Sequence, residues 1–245
     1  MPFTFSHPAI ILPLRYLPKK WFSLTALIIG SLTPDFEYFL RMKVKSVYSH
    51  TISGIFWFDL PLAILLTFIF HNITRDLLFH NLPAIIKDRI LHFTDFNWNT
   101  YFRTNWLIVL LSALIGIISH IFWDGFTHNH GYFVYQIDIL KNSISLFGSE
   151  IPFWKIAQHA SSLTGAIIII VTFIQLPQHF TTSNSGRRTY WSFVILFSFS
   201  VLFVRFLSNP KALHIGNLIV SIIASSLIAI IVIPLLFKFK SRIKN

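Results

Sequence analysis

Five apolar runs, each approaching the thickness of a bilayer core, leave this chain one kind of solvent. A helix rises 1.5 Å per residue, so crossing about 30 Å of hydrocarbon takes roughly 20 residues. Four runs answer to that length: Ile55 to Phe70, Trp106 to Trp123, Leu163 to Leu176 with the turn from Ile156 ahead of it, and Leu213 to Phe237. The fifth, Tyr190 to Leu207, carries Arg205 near its end, where a long cationic stem snorkels to the interface. Only 12% of residues are charged, against about a quarter in soluble domains, so a water-soluble fold is excluded on composition. The expectation is an all-α, polytopic integral membrane helical bundle of about five transmembrane spans, placed in a membrane and specifically in the bacterial cytoplasmic membrane.

The first 40 residues do not fit that pattern. Leu24 to Leu32 is short and is interrupted by Thr33, Pro34 and Asp35, while Pro18 breaks the run from Pro8 to Leu17. Two half-length helices are predicted, tolerated in a membrane where irregular backbone is buried in protein or lines a polar cavity. No basic segment precedes the first apolar run and no small-residue cleavage site follows it, which argues against a cleaved signal. The chain reads as one membrane domain over 1–245: residues 1–54 with the half-helices and part of the site, 55–176 with the site helices, and 190–237 with two C-terminal spans. Asn72 to Asn105 is the most polar connection and is expected outside the membrane, and TTSNSGRR over Thr181 to Arg188 is expected to be a loop.

Charge and cysteine content narrow the chemistry. The formal charge of +11 is spread over loops between apolar runs, the pattern of headgroup contacts and not of nucleic-acid recognition. Lys238, Lys240, Arg242 and Lys244 suggest a cytoplasmic C-terminus. Arg15, Lys19, Lys20, Arg41, Lys43 and Lys45, read as sharing the opposite face, nearly cancel that signal. With no cysteine, any metal must be held by His, Asp or Glu.

Ionisable groups within hydrocarbon cost about 2.5 to 3.5 kcal/mol unless paired or metal-bound, so the few that sit there need a reason. They are Asp35, Glu37, Asp59 and Asp124, with His50, His120 and His159 at span ends. His120 and Asp124 lie four apart, on one helical face, at metal-ligand spacing; a hydrogen-bonded structural pair is the equal alternative. His50 precedes one run, His120 and Asp124 end the next, and His159 precedes the one after. Alternating spans would bring all four to one membrane face. His7 before Pro8 and Asp35 after Pro34 join that face if the first 40 residues do not fully cross. His128 or His130, beyond Gly125, can fold back toward it. Asp59, before Pro61, either caps a kinked turn or accepts from a ligating His. Glu37 and Arg41 stand at ion-pair spacing, and His71, His80, His92, His179 and His214 read as ordinary polar anchors.

FTFSHPAIILP, GSLTPDFEYF, SHTISGIFWFDLP, SHIFWDGFTH and QHASSLTG, in that order over about the first two-thirds of the chain, resemble an uncharacterised membrane family related to the YdjM-type predicted membrane-bound metal-dependent hydrolases. The order His7, Asp35, His50, His120, Asp124, then His128 or His130, then His159 is also similar to the ligand order of zinc-dependent phospholipase C. That resemblance implies one metal on Asp35, His50, His120 and Asp124, a second on His159 with His128 or His130, and His7 approaching a third. Gln158, Asp59 and His130 would support the ligands. The sequence departs from the soluble enzymes in having no Trp beside Met1 and in carrying Leu163 four residues after His159. One or two ions are therefore expected, not three.

The function these readings imply is a membrane-bound hydrolase of a lipid or lipid-linked phosphoester, using water activated by a divalent metal, with Asp35 and Asp124 as its catalytic carboxylates. Zinc is the first choice, with manganese or iron also suited to His and Asp donors. The expected partners are membrane lipid and that phosphoester, with no nucleic acid. Two rivals stand beside this: an ion- or proton-coupled transporter, which predicts polar residues continuing to the other face, and a non-catalytic protein whose metal site is structural and closed.

Overall fold

The structure, a computed structural model, describes residues 3–146, 148–179, 187–208 and 214–243. The loop expected over Thr181 to Arg188 lies outside the described residues as far as Gly186. So do Leu213, where the last run was expected to begin, and Lys244; the side chains of Lys19, Lys240 and Arg242 are also outside. The described chain is all-α except for one hairpin. In order it forms α1 (Pro8–Ile11), α2 (Leu24–Leu32), α3 (Phe36–Arg41), α4 (Ile52–His80), α5 (Ala84–Ile90), α6 (Trp98–Thr127), α7 (Tyr132–Gln136) and α8 (Asp138–Lys141). Strands β1 (Ser143–Leu146) and β2 (Ser149–Pro152) follow, paired antiparallel with Ser143 opposite Pro152, and then α9 (Phe153–Ile174), α10 (Arg187–Ser208) and α11 (Ile215–Ile243). Among the described residues α4, α6, α9, α10 and α11 are long and apolar enough to cross a membrane. α2, of 9 residues, is about 13 Å long and cannot.

Two compact units interleave along the chain. The first takes Met1–Asp35, Tyr48–Ile64 and Asn105–Gln175; the second takes Phe36–Val47, Leu65–Thr104 and Leu176–Asn245.

In the first unit α6 shows how the site is faced inward. Leu107, Leu111, Ile115, Ile118 and Phe122 recur at three- and four-residue steps and are exposed, an apolar stripe suited to lipid. Val109, Ala113, Ile117, His120 and Asp124 lie on the other side and are buried. Small residues let α2 press directly on that buried face. A Cβ on Gly30 would stand 2.4 Å from Ala113 O, and one on Gly116 would stand 2.4 Å from Leu27 O. Backbones approach this closely only where side chains are missing, the means by which helices associate in lipid. Ser23 caps α2, accepting from Ala26 N–H at 3.5 Å, and its own N–H donates to Ser112 Oγ at 2.8 Å. α9 turns Gln158, Ser161, Ser162 and Gly165 toward these elements; Ser6 Oγ donates to Ser162 O at 2.9 Å and Phe3 N–H to Ser162 Oγ at 3.0 Å.

In the second unit Tyr190 and Val194 of α10 pack on Ala229 and Ile233 of α11, and Phe39 of α3 packs on Val220 and Ala224. Glu37 pairs with Arg41 at 2.7 Å, as their spacing predicts, and accepts from Val47 N–H at 3.0 Å. The polar Asn72 to Asn105 stretch is folded: α4 runs on to His80, and the buried Arg75 guanidinium donates to Thr94 O, Phe96 O and Asp76.

A Gly116→Val variant tests the contact between α2 and α6. It is expected to lower stability in detergent by about 1–3 kcal/mol and to reduce metal retention with it; a variant that melts like the parent would show that the two helices do not meet there.

Candidate metal centre

Each side chain of the site is delivered by a local feature of the backbone. α2 stops at Leu32, and the 3₁₀ turn Thr33–Asp35, with Thr33 Oγ1 donating to Ile29 O at 2.7 Å, swings Asp35 inward until it is fully buried. His50 sits just before α4 with φ of 62°, in the left-handed region that costs a side-chain-bearing residue about 1–2 kcal/mol. Backbone strain of that kind persists where the surrounding structure demands a particular side-chain position. His120 and Asp124 come from successive turns of the buried face of α6.

The four groups converge. His50 Nε2 lies 3.2 Å from Asp124 Oδ2 and 3.8 Å from Asp35 Oδ1. His120 Nε2 lies 3.3 Å from Asp124 Oδ2 and 3.6 Å from Asp35 Oδ1. One ligand atom from each residue falls within 4.8 Å of every other. The opposite edges of these side chains are held from behind. Thr4 Oγ1 donates to Asp35 Oδ2 at 2.5 Å, and His7 Nε2 stands 3.2 Å from Asp124 Oδ1, so each carboxylate turns its remaining oxygen to the imidazoles. His120 Nδ1 is 2.7 Å from Ser31 O. A carbonyl can only accept, so Nδ1 carries a proton, and Nε2 is the nitrogen turned to the two carboxylate oxygens, able to bind a cation when it carries none. Asp35 Oδ1 and His120 Nε2 are buried and make no hydrogen bond. Burial opposes ionisation of Asp35, but the adjacent His120 more than offsets it, and the carboxyl lies below its usual value.

The residues predicted from sequence divide by their place around this group. His7 stands behind it, its Nδ1 donating to Thr4 O at 3.1 Å and its ring stacked on His120 at 3.8 Å between centroids. His128 flanks it, 3.5 Å from Asp124 Oδ1, with Nδ1 donating to Asp124 O at 3.1 Å. Asp59 is fully buried at the end of a π turn, Ile55–Asp59, that packs on the turn carrying Asp35. His130 is exposed, its Nδ1 2.9 Å from the Tyr135 hydroxyl, and lies outside the group. His159 also lies outside it, exposed on α9. The reason is helical phase: Gln158 points inward, donating from Nε2 to Thr127 O at 2.9 Å, and the next residue is rotated about 100° away. The sequence reading passed over Thr4 and Ser31. The Thr4 hydroxyl three residues before His7 was a visible signal; the Ser31 carbonyl carried none.

A family model covers residues 1–235, nearly the full length. The chain belongs to the DUF4184 family, a domain of unknown function. No curated protein and no solved structure matches it. What this DUF4184 chain offers is a donor set of two imidazole nitrogens and two carboxylate oxygens that could hold a divalent cation. The four spacings between imidazole and carboxylate donors, 3.2 to 3.8 Å, bracket the edge of about 3.4 Å for a tetrahedron with ligands at about 2.1 Å, and the other two lie within 4.8 Å.

Two substitution experiments follow from this geometry. Metal content of purified protein should fall to background in His120→Ala and Asp124→Ala and stay at the parent level in His159→Ala; metal lost from the last alone would put the centre elsewhere. His50→Gly and His50→Ala should both lose metal, while thermal unfolding ranks the glycine variant the more stable by about 1 kcal/mol. Equal unfolding would mean that the left-handed backbone stores no strain.

Proposed function

We propose that this chain is a membrane-bound, metal-dependent hydrolase that cleaves a phosphoester of a lipid or lipid-linked substrate, with zinc as its ion and the bacterial cytoplasmic membrane as its location. The observation that carries the proposal is the meeting of two imidazole nitrogens and two carboxylate oxygens around one buried point, without hydrogen bonds to satisfy Asp35 Oδ1 and His120 Nε2. The site is also unevenly closed. His120 and Asp35 are sealed, whereas His50 is 21% exposed and His128 is 30% exposed at its side chain. A purely structural site is closed all round, and a catalytic one keeps an accessible edge.

A divalent ion there supplies Lewis acidity toward a phosphoryl oxygen and hydroxide at neutral pH. The protein's own residues do the positioning. Thr4 fixes the outer oxygen of Asp35, the His7 ring stacks on His120 beside Asp124, and the Ser31 carbonyl orients the His120 ring, supports whose removal typically changes metal affinity by about 10–100-fold. His50 and His128 flank the edge by which a substrate headgroup enters. The choice of a phosphoester rests on the similarity in ligand order to zinc-dependent phospholipase C, and the choice of hydrolysis also on the resemblance to the YdjM-type family.

The test is turnover by detergent-purified protein loaded with zinc. A phosphodiester-headed lipid should be hydrolysed, the activity should vanish with a chelator and return with zinc, and Asp35→Asn and Asp124→Asn should lack it. Protein that holds metal yet turns over no phosphoester would reject the proposal. Metal accumulation in proteoliposomes would instead support the transport reading.

A further inference from the structure

The centre and a basic, aromatic segment occupy opposite ends of the same spanning helix. Near the start of α9, Gln158 holds the end of α6, and Ser162 holds Phe3 and Ser6, next to His7. At the finish of α9, Arg15 donates from Nη2 to Gln175 Oε1 at 2.6 Å and from Nη1 to Thr172 O at 3.5 Å. Beside Arg15 the side chains of Tyr16, Lys20 and Trp21 are exposed, the composition of a headgroup belt. α9 has 22 residues, or about 33 Å, so its two ends stand at the two boundaries of a bilayer core about 30 Å thick. Arg15 is thus on the boundary away from the centre, and the sequence expectation that it shares the centre's face is corrected.

Moving Arg15, Lys19 and Lys20 across changes the charge comparison between the two sides. Spans alternate in direction along the chain, so α4 and α9 both end on the far side, and the connection between α4 and α6 lies there. Within the second unit, Arg89 donates to Leu176 O at 2.5 Å and His179 N–H donates to Asp88 O at 2.7 Å, which sets that connection beside the residues that follow α9. Also within that unit Lys238, late in α11, donates to Asn72 O, late in α4. Arg205 at the end of α10 and Ser221 near the start of α11 both donate to Met42 O, at 3.2 and 3.3 Å, so those helix ends share the level of the connection between Asp35 and His50. Among the described residues the centre's side carries six basic residues, Arg41, Lys43, Lys45, Lys141, Lys155 and Arg205. By the alternation of spans the other twelve basic residues of the described chain fall on the opposite side, in the connection between α4 and α6, beside Arg15, before α10 and at the end of α11.

Lys and Arg accumulate in cytoplasmic connections. We infer that the metal centre opens away from the cytoplasm, and that the substrate of the proposed hydrolase, on which this second step rests, is a phosphoester of the non-cytoplasmic leaflet.

The absence of native cysteine makes the test direct, because an introduced one is unique. Ser145→Cys lies on the exposed hairpin after α6, on the centre's side, and Asp95→Cys lies in the exposed part of the connection between α4 and α6. Full-length variants in intact cells are treated with a membrane-impermeant maleimide, before and after permeabilisation. The expected result is Ser145→Cys labelled at once and Asp95→Cys labelled only after permeabilisation; labelling of both variants after it shows that each is made and reachable. Labelling of Asp95→Cys in intact cells, or protection of Ser145→Cys there, overturns the inference. Labelling does not depend on turnover, so an inactive protein with the expected pattern would reject the hydrolase and leave the sidedness standing.

Discussion

Two imidazole nitrogens and two carboxylate oxygens crowd one largely buried space, and the rest of the site is organised around that constraint. The bond from His120 Nδ1 to Ser31 O turns Nε2 toward Asp35 and Asp124, and an Nε2 without a proton meets them acceptor to acceptor. Such an arrangement is costly without a positive charge at its centre, since unpaired charge in a low-dielectric interior costs several kcal/mol per ion. A divalent cation at that point would be attracted by all four donors. Thr4, whose hydroxyl takes up the outward oxygen of Asp35, then acts as a support and does not compete for the inward one.

The same constraint explains why the chain breaks a helix in its first 35 residues. A helix end leaves its last carbonyls without intrahelical donors, and in hydrocarbon an unsatisfied carbonyl must find a partner. α2 ends inside the protein at Thr33 and Pro34, and one of its terminal carbonyls, that of Ser31, is the acceptor for His120. The break that makes α2 too short to span therefore supplies the group that orients a ligand, and the turn after it supplies Asp35. Gly30 and Gly116 permit both, because only at backbone contact does Ser31 O come within reach of α6.

The parts of this arrangement that were legible in the sequence are those with a local signature. His120 and Asp124 carry their relation in a four-residue spacing, the spans are bounded by polar and proline-containing segments, and Asp35 follows a visible helix break. Through-space relations were not legible. Which of Gln158 and His159 faces inward depends on the phase of α9, set by small and polar residues at 158, 161, 162 and 165 that a search for ligands passes over. Thr4 reaches Asp35 across 31 positions, and His7 reaches Asp124 across 117. Arg15 was placed on the wrong boundary for the same reason: the anchoring Gln175 lies 160 residues away.

Depth along α9 links these observations to access. Gln158 and Ser162, which hold the elements around the centre, are 5 and 9 residues from Phe153, or about 8 and 14 Å along the axis. The elements around the ligands are therefore held below the end of α9, while His50 and His128 stay partly exposed. In the proposed hydrolase, a lipid headgroup reaching them would leave bulk water behind but keep its acyl chains in lipid, alongside the exposed apolar stripe of α6 that includes Ile118 and Phe122. A water-soluble phosphoester would lose its hydration to arrive there with no compensating apolar contact. In the proposed hydrolase, a centre set below the helix end would therefore take a lipid-borne substrate at a lower desolvation cost than a soluble one.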